Sequence, residues 1–193
     1  MKNLLAAVAA IAALGLSLPA AAAIFTLSSA LPAPAGALPA ASATTGVVFQ
    51  NATTSVAGLR RSPWQGTIHD GAYFTSISGG ASAVYDLAGL HTDLSILWGS
   101  VDTYNDIDFY AGAALVDTLN GSALIAAGAP QGLSFIVALI TANAAFDRIV
   151  IRSGTNAFEF ANLATTPIPG AAFLILSGLA GLGFASGRKR ASA

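Results

Sequence analysis

The sequence predicts an all-β fold, an antiparallel β-sandwich or jelly roll, flanked by an N-terminal signal helix and a C-terminal transmembrane helix. Three observations carry this expectation. Eight or nine short apolar or alternating runs follow one another at roughly ten-residue spacing, separated by turn-forming Gly, Asn, Asp and Ser. Only 9% of the residues are charged, against about 25% in an average soluble domain, while small and hydroxylated residues abound. Strongly apolar runs lie at both ends of the chain, each beside basic residues.

The N-terminal run reads as a secretory signal. Lys2 precedes the apolar stretch Leu4 to Leu16, and Pro19 and an alanine cluster follow, which is the order of a charged region, an apolar region and a small-residue cleavage site. Cleavage is expected after Ala23. Residues 24–45 hold prolines at 32, 34 and 39 and few large side chains, so they are expected to be a Pro/Ala-rich disordered leader.

From residue 46 to 165 the texture is that of the β domain. Expected strands are Gly46–Gln50, Ala72–Ile77, Ser82–Asp86, Asp93–Trp98, Ile107–Tyr110, Ala114–Thr118, Leu133–Ile140, Ala145–Arg152 and Ala157–Phe160. Alternation is clearest at Leu94, Ile96 and Trp98, and at Ile149 and Ile151, where successive side chains point to opposite faces. Asn120-Gly121 is expected to be a hairpin turn, since both residues tolerate positive φ. Ser122–Ala129 is the one stretch expected as a short helix.

Residues 166–193 form the last segment: Thr166-Pro167-Ile168-Pro169-Gly170, an uncharged run over 171–186, and the basic cluster Arg188, Lys189 and Arg190. As a helix the uncharged run spans roughly 24 Å at ~1.5 Å per residue. That is short of a hydrocarbon core of about 30 Å, so it crosses a membrane weakly. The basic cluster is expected to stay on the cytoplasmic side, leaving residues 24–165 outside.

Charge and cysteine content narrow the partners. Without Lys2 and the basic tail, four arginines face nine carboxylates, a net charge of −5. An acidic domain is a poor partner for nucleic acid, which needs a basic patch. Cysteine is absent, so neither a disulfide nor a thiolate metal site can form.

Two constellations are candidates for a site. Asp102, Asn105, Asp106 and Asp108 lie within seven residues and either supply oxygen ligands to a calcium ion or hydrogen-bond a turn between strands. The spacing is not that of an EF-hand loop. Trp64, Tyr73 and Tyr104 flank polar or Gly-rich turns and either stack on sugar rings or pack in the core. No catalytic residues are assigned. His69-Asp70 lacks a nucleophile elbow to complete a triad, and His91 has no ligand partner at zinc spacing.

The order of the last segment, a Pro-x-Pro motif, a short apolar helix and an Arg-rich end, resembles the PEP-CTERM sorting signal in its V-P-x-P-A variant, with Thr166 in place of Val and Gly170 in place of Ala. The stretches G-S-V-D-T-Y-N-D-I-D-F-Y, F-D-R-I-V-I-R-S and N-A-F-E-F-A-N-L-A are similar to a family of exosortase-dependent surface proteins over residues 64–165; that family has Asp where this chain has Ala161. The resemblance implies a Gram-negative bacterium, recognition by a membrane-embedded exosortase, cutting near Pro167 to Pro169, and a protein at the cell surface or in the extracellular matrix after transient anchoring in the inner membrane. The leading expectation is thus a non-enzymatic surface or biofilm-matrix protein, without cofactor unless calcium binds, that associates with exopolysaccharide. The alternative is a secreted polysaccharide-acting hydrolase using two carboxylates, for which Asp102, Asp106, Asp108 and Glu159 are available.

These end signals generate the first prediction. Intact-mass measurement of protein recovered from the cell surface should show the loss of residues 1–23 and of everything beyond about Pro169. A mass that retains Arg188 to Arg190 would reduce the last segment to a plain membrane anchor.

Overall fold

The computed structural model describes residues 23–132 and 135–168. Residues 1–22 of the expected signal peptide and the segment from Pro169 and Gly170 through the apolar run to Arg188, Lys189 and Arg190 lie outside the described residues. No helix among the described residues is long and apolar enough to cross a membrane.

The chain is all-β, as expected, and every pairing between its strands is antiparallel. The strands are β1 (Ile24–Ser28), β2 (Ala43–Thr45), β3 (Val48–Ala52), β4 (Phe74–Ile77), β5 (Ala81–Trp98), β6 (Asn105–Ala111), β7 (Ala114–Asn120), β8 (Ile136–Ser153) and β9 (Phe158–Pro167), with one short helix, α1 (Gly121–Ala126). They join into one sheet in the order β3-β4-β9-β5-β8-β6-β7, with β1 added to β8 and β2 to β5.

The reason for one continuous sheet lies in β5 and β8. Each is 18 residues long, and they pair from Ala81↔Ser153 to Trp98↔Ile136. Each replaces two of the expected strands. In β5 the first half pairs with β2 and the second with β9; in β8 the second half pairs with β6 and the first with β1. Between Asp86 and Asp93 the register shifts, and the buried positions change parity from Ala81, Ala83 and Tyr85 to Leu94, Ile96 and Trp98. Extra residues in a bulge have this effect, because the side-chain period of a strand is two.

Side chains from both halves share one core. Tyr85 of the first half meets Phe160 of β9 edge to face, with ring centroids 6.2 Å apart, and Phe109 of β6 meets Phe146 at 4.9 Å. Trp98 and Phe158 stack at 4.3 Å. Burial pushes the Tyr85 hydroxyl up to about 12. On the other face of the second half, Trp64, Phe74, Leu97 and Ala161 form a second buried cluster. Both faces are therefore covered there, which explains why all four residues of β4 are buried.

Residues 24–45, expected to be a disordered leader, are instead part of the sheet. β1 pairs with β8 from Ile24↔Thr141 to Ser28↔Val137, and β2 pairs with β5. The stretch between them is held by amides from distant residues. Asn51 accepts from the Leu38 N–H at 2.7 Å and donates to the Leu38 carbonyl; Asn162 accepts from the Ala35 N–H and donates to the Ala33 carbonyl, both at 2.8 Å. Both asparagines have positive φ, 53° and 50°, a conformation that asparagine tolerates better than most residues. Leu38 itself is buried in the main core.

Two further expectations change. Asn120-Gly121 is not a hairpin turn: the Asn120 side chain accepts the Ser122 N–H at 2.7 Å and caps α1. The hairpin between β6 and β7 turns at Gly112, whose φ is +59°. The domain also does not stop at residue 165, because Thr166 and Pro167 are the last residues of β9, opposite Asp93 and His91, and the Ile168 N–H donates to the Leu90 carbonyl at 2.9 Å. Ile24, Thr141, Asp93 and Thr166 consequently form one row across four strands.

The asparagine clamp predicts the effect of Asn162→Gly, which keeps the backbone freedom and removes the amide. Two hydrogen bonds are lost, so denaturant unfolding should show a loss of about 1–3 kcal/mol. Limited proteolysis should then cut between residues 29 and 42 before the paired strands.

Candidate functional site

A cleft of about 880 Å³ opens at the end of the second half of the sheet, where β5 runs out. Three segments wall it: the loop Ser55–Arg61 with Gln65, the turn holding Ser100, Asp102 and Tyr104, and the start of β9 with Asn156, Ala157 and Glu159. The loop is a tight turn, with the Leu59 and Arg60 N–H groups donating to the Val56 carbonyl and Gly58 at φ +72°. Its continuation is anchored by Trp64, whose buried indole donates to the Tyr73 carbonyl at 3.0 Å. The β5 end is drawn onto β9 by the Gly99 N–H, which donates to the Glu159 carbonyl at 2.7 Å. A Cβ at residue 99 would stand 2.9 Å from that oxygen, so this approach requires glycine.

Glu159 ties the three walls together. Its carboxylate accepts the Arg61 backbone N–H at 3.0 Å and the Ser100 hydroxyl at 2.6 Å. Burial raises its pKa above the usual carboxylate value; the hydrogen bonds oppose the rise and the negative charge of Asp102 adds to it. The Tyr104 hydroxyl donates to the Asn156 carbonyl at 3.0 Å and is pushed up to about 12, first by burial and then by the neighbouring Asp102. A buried carboxyl that carries two hydrogen bonds serves as a clamp between segments distant in sequence, and the polar groups around it can meet a hydroxyl-rich ligand.

Asp102, Asn105, Asp106 and Asp108 do not converge. Asp102 lines the cleft. Asn105 is fully buried, donating to the Ser100 carbonyl at 3.1 Å and accepting from the Ser153 hydroxyl at 2.7 Å, which is the turn-holding role. Asp106 and Asp108 are two residues apart on β6 and both bind Arg152 of the paired strand, at 2.7 and 2.8 Å. No group of three or more His, Cys, Asp or Glu placed to hold a metal ion occurs among the described residues.

The aromatic candidates also separate. Trp64 is wholly buried and cannot stack on a sugar, because the loop it anchors needs it as the centre of the second core cluster. Tyr73 is 43% exposed but is not part of the cleft wall. Only Tyr104 lies in the cleft. Arg60, Arg61, Gln65 and Ser100 were not indicated as site residues by spacing; the one available signal is the Arg60-Arg61 pair in a chain with so few charges. Of the residues of the expected sorting motif, Thr166, Pro167 and Ile168 are described, far along the strand from this cleft.

No protein-family profile matches the chain, and comparison with curated proteins and with solved structures gives no significant match.

The raised pKa of Glu159 sets a pH dependence. A carboxyl whose folded pKa lies above its unfolded value holds its proton longer in the folded state, so stability is lost as pH rises through that window and the loss is complete above the folded pKa. Glu159→Gln should therefore gain stability relative to the wild type as pH rises from acid to neutral. Urea midpoints measured across that range, parallel for the two proteins, would refute the assignment of this charge as a buried burden.

Proposed function

We propose that this chain is a non-enzymatic exported protein of the cell surface or biofilm matrix, sorted by an exosortase, that holds exopolysaccharide in the cleft beside Glu159. The single observation that carries the binding reading is the cleft itself: a concavity of mixed apolar and polar lining, built from loops on a rigid sheet, where recognition groups commonly sit. In this reading the folded-back sheet is a β-sandwich and serves as its support. The sequence patterns at the two ends supply export through the inner membrane, transient anchoring and processing. Binding of this kind needs no metal and no nucleic acid.

Glu159 supports binding over cutting. Both of its oxygens already serve the loop and the turn, whereas a glycosidase carboxyl must reach the scissile bond. A hydrolase reading rests on Asp102, which borders the same cleft as Glu159 and makes a pair of carboxylates spatially available.

The experiment is to incubate the purified full chain with the producer's own exopolysaccharide and to follow retention and reducing ends together. Retention without new reducing ends is expected, and Tyr104→Ala should weaken retention several-fold by removing the ring from the cleft. Reducing ends that appear with the wild type and disappear with Asp102→Asn would replace this reading with the hydrolase.

A further inference from the structure

Lysine is absent between residues 23 and 168, and the four arginines there divide sharply. Arg148 binds Asp86 at 2.6 Å, and Arg152 binds Asp106 and Asp108. Arg60 and Arg61 make no ion pair among the described residues, and both line the cleft. In a domain where carboxylates outnumber arginines by nine to four, two unmatched guanidinium groups side by side are the opposite of what composition favours.

Their placement is fixed by the fold. The Arg60 Nε donates to the Thr54 carbonyl at 3.1 Å, and its guanidinium carbon stands 4.5 Å from the centre of the Phe49 ring. Stacking and one hydrogen bond hold the plane while leaving the terminal nitrogens available, which is the preorganised fork that recognises a carboxylate. Arg61 is set by its backbone N–H on Glu159, so its side chain leaves from a fixed point. Of the two acids in the cleft, Glu159 has both carboxyl oxygens engaged by the protein, by the Arg61 backbone N–H and the Ser100 hydroxyl, so neither is left free to face a ligand.

We infer that the cleft recognises an acidic saccharide, with the carboxylate of a uronic acid residue on Arg60 and Arg61 and its hydroxyls on the neighbouring polar side chains. The inference rests on the reading of this cleft as a glycan site and names the class of glycan. A saccharide fits better than an acidic peptide because the remaining wall offers the Gln65 amide and Ser100 to sugar hydroxyls and the Tyr104 ring as a stacking surface for a sugar face. The net charge of −5 over residues 24–168 slows approach of a polyanion but does not govern contacts inside the cleft, since exposed charges beyond about 8–10 Å are screened at physiological salt.

Binding of the full chain to three probes tests this by titration calorimetry: an oligogalacturonate, a cello-oligosaccharide of equal length, and a glutamate oligopeptide. The oligogalacturonate should bind tightest and weaken as salt rises. Arg60→Gln and Arg61→Gln should each weaken it roughly tenfold, the loss expected for one charged hydrogen bond. Arg148→Gln, on the outer face, should leave it unchanged. Arg61→Gln keeps the backbone contact to Glu159, so it reports on the ligand even where Arg60→Gln disturbs the loop; circular dichroism checks both folds. Equal binding of the neutral probe, insensitive to both arginine variants, would leave the cleft a glycan site and overturn its acidic preference. Binding of neither sugar would overturn both readings. A glutamate peptide that binds as tightly as the oligogalacturonate, with the same arginine dependence, would overturn the saccharide class.

Discussion

The structure depends on the pairing of β5 with β8. These two long strands run side by side through both halves of the sheet, and β1, β2, β6 and β9 each bond directly to one of them. The remaining strands attach through those neighbours. Without cysteine there is no covalent link to hold the halves together, so the shared ladder and the aromatic contacts across the core must do so. The bulged stretch from Asp86 to Asp93 is as much a part of this as the regular pairing. It is where the chain changes the face it buries, and His91 sits there under Phe146, stacked at 6.2 Å, with Phe146 as its register partner.

Strand content was legible in the sequence where one face is buried and the other wet. The runs Leu94-Ile96-Trp98 and Ile149-Ile151 alternate because every second side chain meets the core. Continuity was not legible, because a bulge and a loop both appear as a break in period; β5 and β8 each looked like two strands for that reason. The ordered leader was invisible for a different one. Its residues are mostly small and show no strand alternation of their own, and what holds the stretch between β1 and β2 is Asn51 and Asn162, the latter up to 129 residues away. The pairing of Asn120 with Gly121 fits a turn and a helix start equally well in isolation, and only the Ser122 contact distinguishes them.

The candidate site was less legible than the fold. Density of polar residues drew attention to 102–108, yet β6 sends Asn105 inward and sets Asp106 and Asp108 against an arginine 44 or more residues away. The turns beside Trp64 left it open to stacking on a sugar or packing in the core, and the fold takes the second, because a loop folded over a sheet needs a large anchor beneath it. Glu159 was an isolated acid in an apolar strand, the kind of residue whose role appears only when its partners at 61 and 100 are brought beside it.

The row formed by Ile24, Thr141, Asp93 and Thr166 gives the molecule a polarity. Among the described residues the chain enters at β1 and departs at the end of β9, both at one end of the strands and some three strand spacings apart, or roughly 15 Å. Ser100 lies seven residues beyond Asp93, just past the end of β5 at Trp98, on the order of 20 Å away at the strand rise. A molecule moored close to Ile24 or Thr166 would therefore have its mooring near one pole of the sheet and its cleft near the other.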